Sequence, residues 1–257
     1  MKTPRKIAPE RRQPAPKKDA DAFPMRINKY LALQNYATRR GADELIEKGF
    51  VTVNGRLAKL GDIVHKKDEV AVKSSAPKKN YVYFAYNKPR GIVTHGAQGQ
   101  EEEISEVVKK VPELRGTFPV GRLDKDSHGL IILTNDGRVT DRLLNPKFDH
   151  DKEYEVMVHK PLRNNFKERM EGGVNIEGYL TKECHVDVVG TMKFRVTLHE
   201  GKRHQIRRMV AALYNTVADI KRVRVLNIKL GRIPSGGFAA IGGDDLKTFL
   251  QKLGLER

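Results

Sequence analysis

Between Phe118 and Gly137 the chain runs Phe-Pro-Val, then a stretch of polar residues with two glycines, then Leu-Ile-Ile-Leu. Apolar runs of this length suit strands, so the segment reads as strand, loop, strand. The loop carries Arg122, Asp124, Lys125, Asp126 and His128. A polar loop tied to buried strands at both ends is a common seat for catalytic groups, because the strands fix its geometry. Spacing alone favours the plainer reading, a solvated, charged turn.

The sequence around this segment divides in two. From Met25, the residues Ile27, Tyr30 and Leu31 fall at helical spacing, and Thr38 is placed to cap a second helix whose apolar face is Ala42, Leu45 and Ile46. Gly49 ends that helix, Phe50–Val53 reads as a strand, Asn54-Gly55 as a tight hairpin turn, and Leu57–Val72 as short returning strands around Gly61-Asp62. The polar SSAPKKN segment, 74–80, reads as a linker. Beyond it, strands are expected at Tyr81–Asn87, Glu153–His159, Phe194–Leu198 and Val223–Leu230. Helices are expected at Glu103–Val111, Arg203–Tyr214 and Asp244–Leu253. Without a regular βαβ rhythm, this mixture points to an α+β fold with a mainly antiparallel sheet flanked by helices.

Charge narrows the partner. Lys and Arg number 49 against 32 Asp and Glu, a formal net charge of +17, which calls for a polyanion, and nucleic acid fits best. No apolar run approaches the roughly 18 residues needed to span a bilayer, so no membrane role is expected. Cys184 is the lone cysteine. It leaves no intrachain disulfide and no thiol pair for structural zinc, in keeping with a reducing cytoplasm. Residues 1–24 hold seven basic and three acidic side chains with almost no large apolar residue, so a basic disordered tail is expected there. It lacks the apolar core of a secretory signal.

Several blocks resemble known families. Residues 25–73 are similar to the S4 RNA-binding module, most clearly at Arg26, Lys29, Thr38-Arg39-Arg40 and Val53-Asn54-Gly55. The run GRLDKDSHGLIILTNDG, 121–137, resembles the signature of the RsuA/RluB/RluE/RluF group of pseudouridine synthases. Asn87-Lys88-Pro89-Arg90-Gly91, Lys152-Glu153-Tyr154 and Gln205-Ile206-Arg207-Arg208-Met209 resemble the group's other blocks, in the same order. The resemblance implies a small S4-type module followed by a pseudouridine synthase catalytic domain over 81–257. The implied reaction breaks the bond between ribose and uracil N1, turns the base and rejoins it through C5, with no metal and no cofactor.

Carried over position by position, the resemblance makes Asp124 the catalytic aspartate, and neither Asp126 nor Asp136. It makes Arg207 the cation that pairs with Asp124, holding it ionised and oriented. Tyr154 becomes the tyrosine whose ring stacks on the extruded uracil and whose hydroxyl serves proton transfer at C5. Ile206 packs against the base, Lys152 belongs to the substrate-binding set, and Arg122 fills the gap left by the extruded nucleotide. Arg26, Lys29, Arg39 and Arg40 are expected to meet RNA phosphates. One departure is His204, where the group usually has an arginine; Arg203, one residue away, stands ready to supply that RNA contact.

Within the group, Arg26–Tyr30, the Asp124 block, Lys152-Glu153-Tyr154 and Thr181–Cys184 look closest to the RluF type. That implies a uridine in 23S rRNA, with tRNA-Tyr as a second substrate, acted on by a cytoplasmic monomer. The other readings are a 16S rRNA synthase of the RsuA type, a non-catalytic ribosome-assembly factor, and an N-glycosidase that releases uracil.

Overall fold

The computed structural model describes residues 23–76 and 80–255; the basic tail expected over 1–24 lies almost wholly outside them, as do residues 77–79 of the linker. The described chain forms two compact units that divide between Asn80 and Tyr81.

The first unit runs β1 (Met25–Arg26), α1 (Ile27–Leu33), α2 (Arg39–Glu47), β2 (Val51–Val53), β3 (Arg56–Leu57), β4 (Ile63–Val64) and β5 (Val70–Val72). Thr38 caps α2 by accepting a hydrogen bond from the Gly41 amide at 3.0 Å, satisfying one of the donors every helix start leaves open. Asn54 and Gly55 both take positive φ, 50° and 78°, the geometry of a tight hairpin whose twist matches its strands. Ile27, Leu31, Ala42, Leu45 and Ile46 from the helices meet Val51, Val53, Val64 and Val72 from the strands in one core.

The second unit begins with β6 (Tyr83–Lys88), α3 (Ile104–Lys110), β7 (Phe118–Val120), β8 (His128–Thr134), α4 (Gly137–Leu144) and β9 (Lys152–Val158). It continues with α5 (Phe166–Glu171), β10 (Asn175–Ile176), β11 (Tyr179–Leu180), β12 (His185–Gly190), β13 (Lys193–Leu198) and α6 (Gln205–Ala212). Then come β14 (Val217–Val225), β15 (Ile228–Lys229), β16 (Phe238–Ala240) and α7 (Gly243–Lys252). Nine strands form one sheet along the path β12-β13-β9-β14-β8-β6-β16, with β15 on β14 and β7 on β8. Every pairing is antiparallel except β14 with β8.

β8 explains why the sheet is covered on both faces. Leu130–Leu133 are all buried, and successive strand residues point to opposite sides. Leu130 and Ile132 meet Val139 and Leu143 of α4 and Phe249 of α7, while Ile131 and Leu133 meet Ile104 and Val108 of α3. On β9 the inward row runs Val158, Val156, Tyr154, Lys152. Its apolar end packs with Phe166, Met170, Ile206 and Met209 of α5 and α6, and its polar end leaves that core.

Two expectations need correction. Val223–Leu230 is not one strand: the chain turns at Leu226, whose φ is 53°, and returns as β15 on Arg224 and Val225. A leucine in left-handed geometry gives no turn signal in a sequence. Asn135-Asp136-Gly137, read as the end of a strand, also opens α4, with Asp136 accepting from the Arg138 amide at 3.1 Å.

Gly129 is where β8 approaches β14 most closely. A Cβ there would stand 2.3 Å from the Arg222 carbonyl oxygen, with φ at +102°. Gly129→Ala therefore combines a steric clash with backbone strain, and a loss of about 3 kcal/mol or more is expected, read from the urea unfolding midpoint. A loss below about 0.5 kcal/mol would contradict this packing.

Candidate active site

The loop between β7 and β8 is pinned on both sides of Asp124. Thr94, fully buried, donates its hydroxyl to the Leu123 carbonyl at 2.7 Å and accepts from the Leu123 amide at 3.1 Å. One side chain thus satisfies both backbone groups of the residue before Asp124. On the other side, the Gly91 amide donates to the Lys125 carbonyl at 2.9 Å, and the Lys88 ammonium reaches the same oxygen at 3.4 Å. Lys88 also donates to the carbonyls of Pro89 and Ile92 at 2.9 and 2.6 Å. Burial pushes its pKa down to about 8 against the opposing pull of Asp124 and Asp126. The Ser127 amide closes the turn on the Asp124 carbonyl at 3.1 Å.

Asp124 projects from this clamped loop into a cavity of about 730 Å³, within the usual range of ligand pockets, roughly 300–1,000 Å³. The floor is the polar end of the inward row on β9. Tyr154 pairs in register with Arg222 of β14 and Val196 of β13, and Lys152 with Leu198 of β13. Lys152, Tyr154, Leu198 and Arg222 all line the cavity. Tyr154 is half-buried against the core of α5 and α6. Arg222, 4% exposed, donates from Nε to the Leu130 carbonyl at 2.6 Å and from Nη1 to the Arg122 carbonyl at 3.3 Å, joining the floor to β8 and to the loop.

The start of α6 forms one wall, lined by Arg203, His204, Gln205, Ile206 and Arg207. Gln205 anchors it, accepting from the Lys202 amide at 2.9 Å and donating to Glu200 at 2.7 Å. Ile206 is buried, Arg207 half-buried and Arg203 exposed at the rim. The pairing expected between Arg207 and Asp124 is not formed among the described residues. The basic side chain within reach is His204, whose Nε2 lies 3.6 Å from Asp124 Oδ1. His204 is the residue that precedes α6, with a left-handed φ of 52°; Arg207 begins about 4.5 Å further along the axis. Arg208 turns away, donating to Ile176 and Glu177 at 3.1 and 2.6 Å.

Other polar residues in and around the signature have structural partners, while Asp126 is exposed outside the cavity. Asp136, wholly buried, binds Arg138 at 2.7 Å and accepts from the Tyr83 hydroxyl at 2.8 Å. His128 meets Asp219 at 3.0 Å, and Arg90 is on the same carboxylate. Lys125 pairs with Glu101 at 2.8 Å. Arg122 lines the cavity and reaches the His95 carbonyl at 3.5 Å. In the first unit, Arg26 and the α2 first-turn pair Arg39 and Arg40 are exposed, and Lys29 is half-buried. No acidic residue occupies that first turn, although the helix dipole there disfavours cations.

Sequence reasoning assigned no role to Thr94, Lys88, His204 or Arg222 at Asp124. Lys88 lay in a quoted motif and His204 was noted only as a departure. Thr94 and Arg222 act across 29 and about a hundred residues, a range no local pattern reports.

Two family profiles match the chain: RNA pseudouridylate synthase over residues 82–212 and S4 domain over residues 25–70. The dual-specificity RNA pseudouridine synthase RluF of Escherichia coli K12 is 39% identical over 226 residues, 86% of this chain and 77% of that protein. An uncharacterized RNA pseudouridine synthase of Aquifex aeolicus is 32% identical, over 90% and 96% of the two chains. Ribosomal large subunit pseudouridine synthase B of Bacillus subtilis is 31% identical, over 82% and 89%. A crystal structure of a pseudouridylate synthase superposes with a TM-score of 0.64 at 26% identity, over 88% of this chain and 99% of the other.

Thr94→Val, which keeps the shape but removes the hydroxyl, strands a buried amide and a buried carbonyl at Leu123. It is expected to lose about 1–3 kcal/mol and to speed hydrogen exchange at the Leu123 amide, while Thr94→Ser keeps both. Unchanged exchange at Leu123 in the valine variant would show that the loop is held by something else.

Proposed function

Because the chain belongs to the RNA pseudouridine synthase family, with an S4 domain ahead of the synthase domain, we propose that it isomerises a uridine of large-subunit ribosomal RNA through Asp124, with a tRNA as second substrate. It is an RNA pseudouridine synthase. The observation that carries the assignment to Asp124 is that this carboxylate alone among the signature acids enters the cavity with Tyr154, Ile206 and Arg207, from a loop fixed by backbone bonds on both sides.

The reaction breaks N1–C1′, turns the uracil and forms C5–C1′; C5 loses a proton and N1 gains one, so atoms and electrons balance without an oxidant or water. An ionised Asp124 acts on the ribose as the uracil departs, as nucleophile at C1′ or as base toward the C2′ hydrogen. Arg207 adds positive charge to the same cavity, and His204 lies within reach of the carboxylate. Tyr154 presents its ring to the uracil, with its hydroxyl available for the C5 proton. Ile206 closes the other face. Arg122 enters the space that the nucleotide vacates, and Arg203 meets the backbone at the rim. The S4 unit docks RNA through Arg26, Lys29, Arg39 and Arg40. The enzyme works as a monomer in the cytoplasm, where ribosomal RNA is made and assembled.

RluF carries dual specificity in its name and the Bacillus relative the large subunit, which supports large-subunit RNA with a second RNA class. The test is carbodiimide-primed mapping of pseudouridine in ribosomal and transfer RNA treated with wild type and with Asp124→Asn. A stop in large-subunit RNA is expected, reduced about 10²–10⁴-fold or more in the variant while RNA affinity holds within about twofold. Substantial turnover by Asp124→Asn would overturn the assignment, and a stop only in small-subunit RNA would move the substrate.

The docking role has its own signature. Replacing Arg39 and Arg40 together by Gln removes up to two phosphate contacts, so the slope of log K against log salt is expected to flatten by about 1.4. An unchanged slope would remove these two residues from the interface.

A further inference from the structure

The cavity floor holds two cations, Arg222 buried and Lys152 half-buried, whose hydrogen-bond partners are neutral. Lys152 Nζ donates to the His150 carbonyl at 3.0 Å, and Arg222 to the carbonyls of Leu130 and Arg122. The carboxylates nearby are engaged elsewhere. Asp151 meets His199 at 3.0 Å and Arg224 at 3.6 Å, Glu153 meets Arg224 at 2.7 Å, and Asp124 meets His204. Burial, with the charge of Arg222 behind it, pushes Lys152 down to about 8 against the opposing pull of Asp151. Register puts both groups on one face of the sheet: Arg222 stands opposite Tyr154, and Lys152 lies two residues along β9 from it.

Two like charges without a carboxylate between them are an unfavourable thing to bury. Their energy falls when an anion enters the cavity, and RNA brings one at every nucleotide. Two residues along a strand is about 6.8 Å, a separation suited to a backbone phosphate when the base lies on Tyr154. We propose that Lys152 and Arg222 form a phosphate subsite for one of the two phosphodiesters flanking the target uridine. This rests on the reading of the cavity as the uridine site. The subsite holds the nucleotide by its phosphate, so that the sugar presented to Asp124 is fixed independently of the base.

The experiment uses the RNA stem-loop that wild type modifies, with each flanking phosphodiester replaced in turn by an uncharged methylphosphonate. At one position wild type is expected to lose binding about tenfold or more, Lys152→Met less than about twofold, and Lys152→Arg to recover the sensitivity. Without RNA, Lys152→Met is expected to keep or raise its Tm, since a buried charge is replaced by an apolar chain. Equal losses for wild type and Lys152→Met at both positions would overturn the subsite, as would a lowered Tm in Lys152→Met with the methylphosphonate effect retained. Pseudouridine in the unsubstituted stem-loop separates the two failures: no coupling on an RNA that is modified sinks the subsite alone, whereas an RNA never modified sinks the reading of the cavity and the subsite with it.

Discussion

The reciprocal pair between Thr94 and Leu123, backed by the bonds of Gly91 and Lys88 to Lys125, is the interaction on which the site depends. A loop with four charged side chains and a histidine would otherwise follow solvent. Fixing the peptide groups on either side of Asp124 leaves only that residue's side chain free to move. The Thr94–Leu123 pair is itself buried, so its hydrogen bonds are not exchanged for water, and losing either partner leaves a desolvated polar group.

The sheet carries this constraint to the floor. β8 leaves the loop and enters a core closed on both faces, and it lies parallel to β14, close enough that only glycine fits at position 129. Arg222 then bonds to β8 and to the loop from the middle of β14. The loop, Tyr154, Lys152 and Arg222 therefore share one rigid frame. The positive lining of that frame is costly in an empty protein, and an anionic substrate relieves it. A net charge of +17 favours the approach of a polyanion, and the proposed subsite would fix where it sits.

Much of this architecture was legible in the sequence. The apolar run after the Asp124 loop announced a buried strand, Thr38 and Asn54-Gly55 marked a helix start and a hairpin, and the charge pointed to nucleic acid. The polar end of the β9 row was legible only as a motif, because alternation does not say where a core stops and a cavity begins. Asp136 shows the limit of reading acids by type: it lies in the same signature as Asp124, yet is locked to Arg138 and Tyr83. The turn at Leu226 was hidden because leucine is not a turn former. His204 was visible as a departure, but its position at the mouth of α6, beside Asp124, follows from where that helix begins.

The central claim is that the cavity moves the ribose from N1 to C5 of the same uracil. Its most direct measurement is single-turnover treatment of RNA labelled with tritium at uracil C5, following tritium in water and uracil in solution together. The account predicts one tritium released for each site modified, with no free uracil. Free uracil released from the RNA would contradict it and make the protein an N-glycosidase, and tritium retained in full would show that the base is never rejoined through C5.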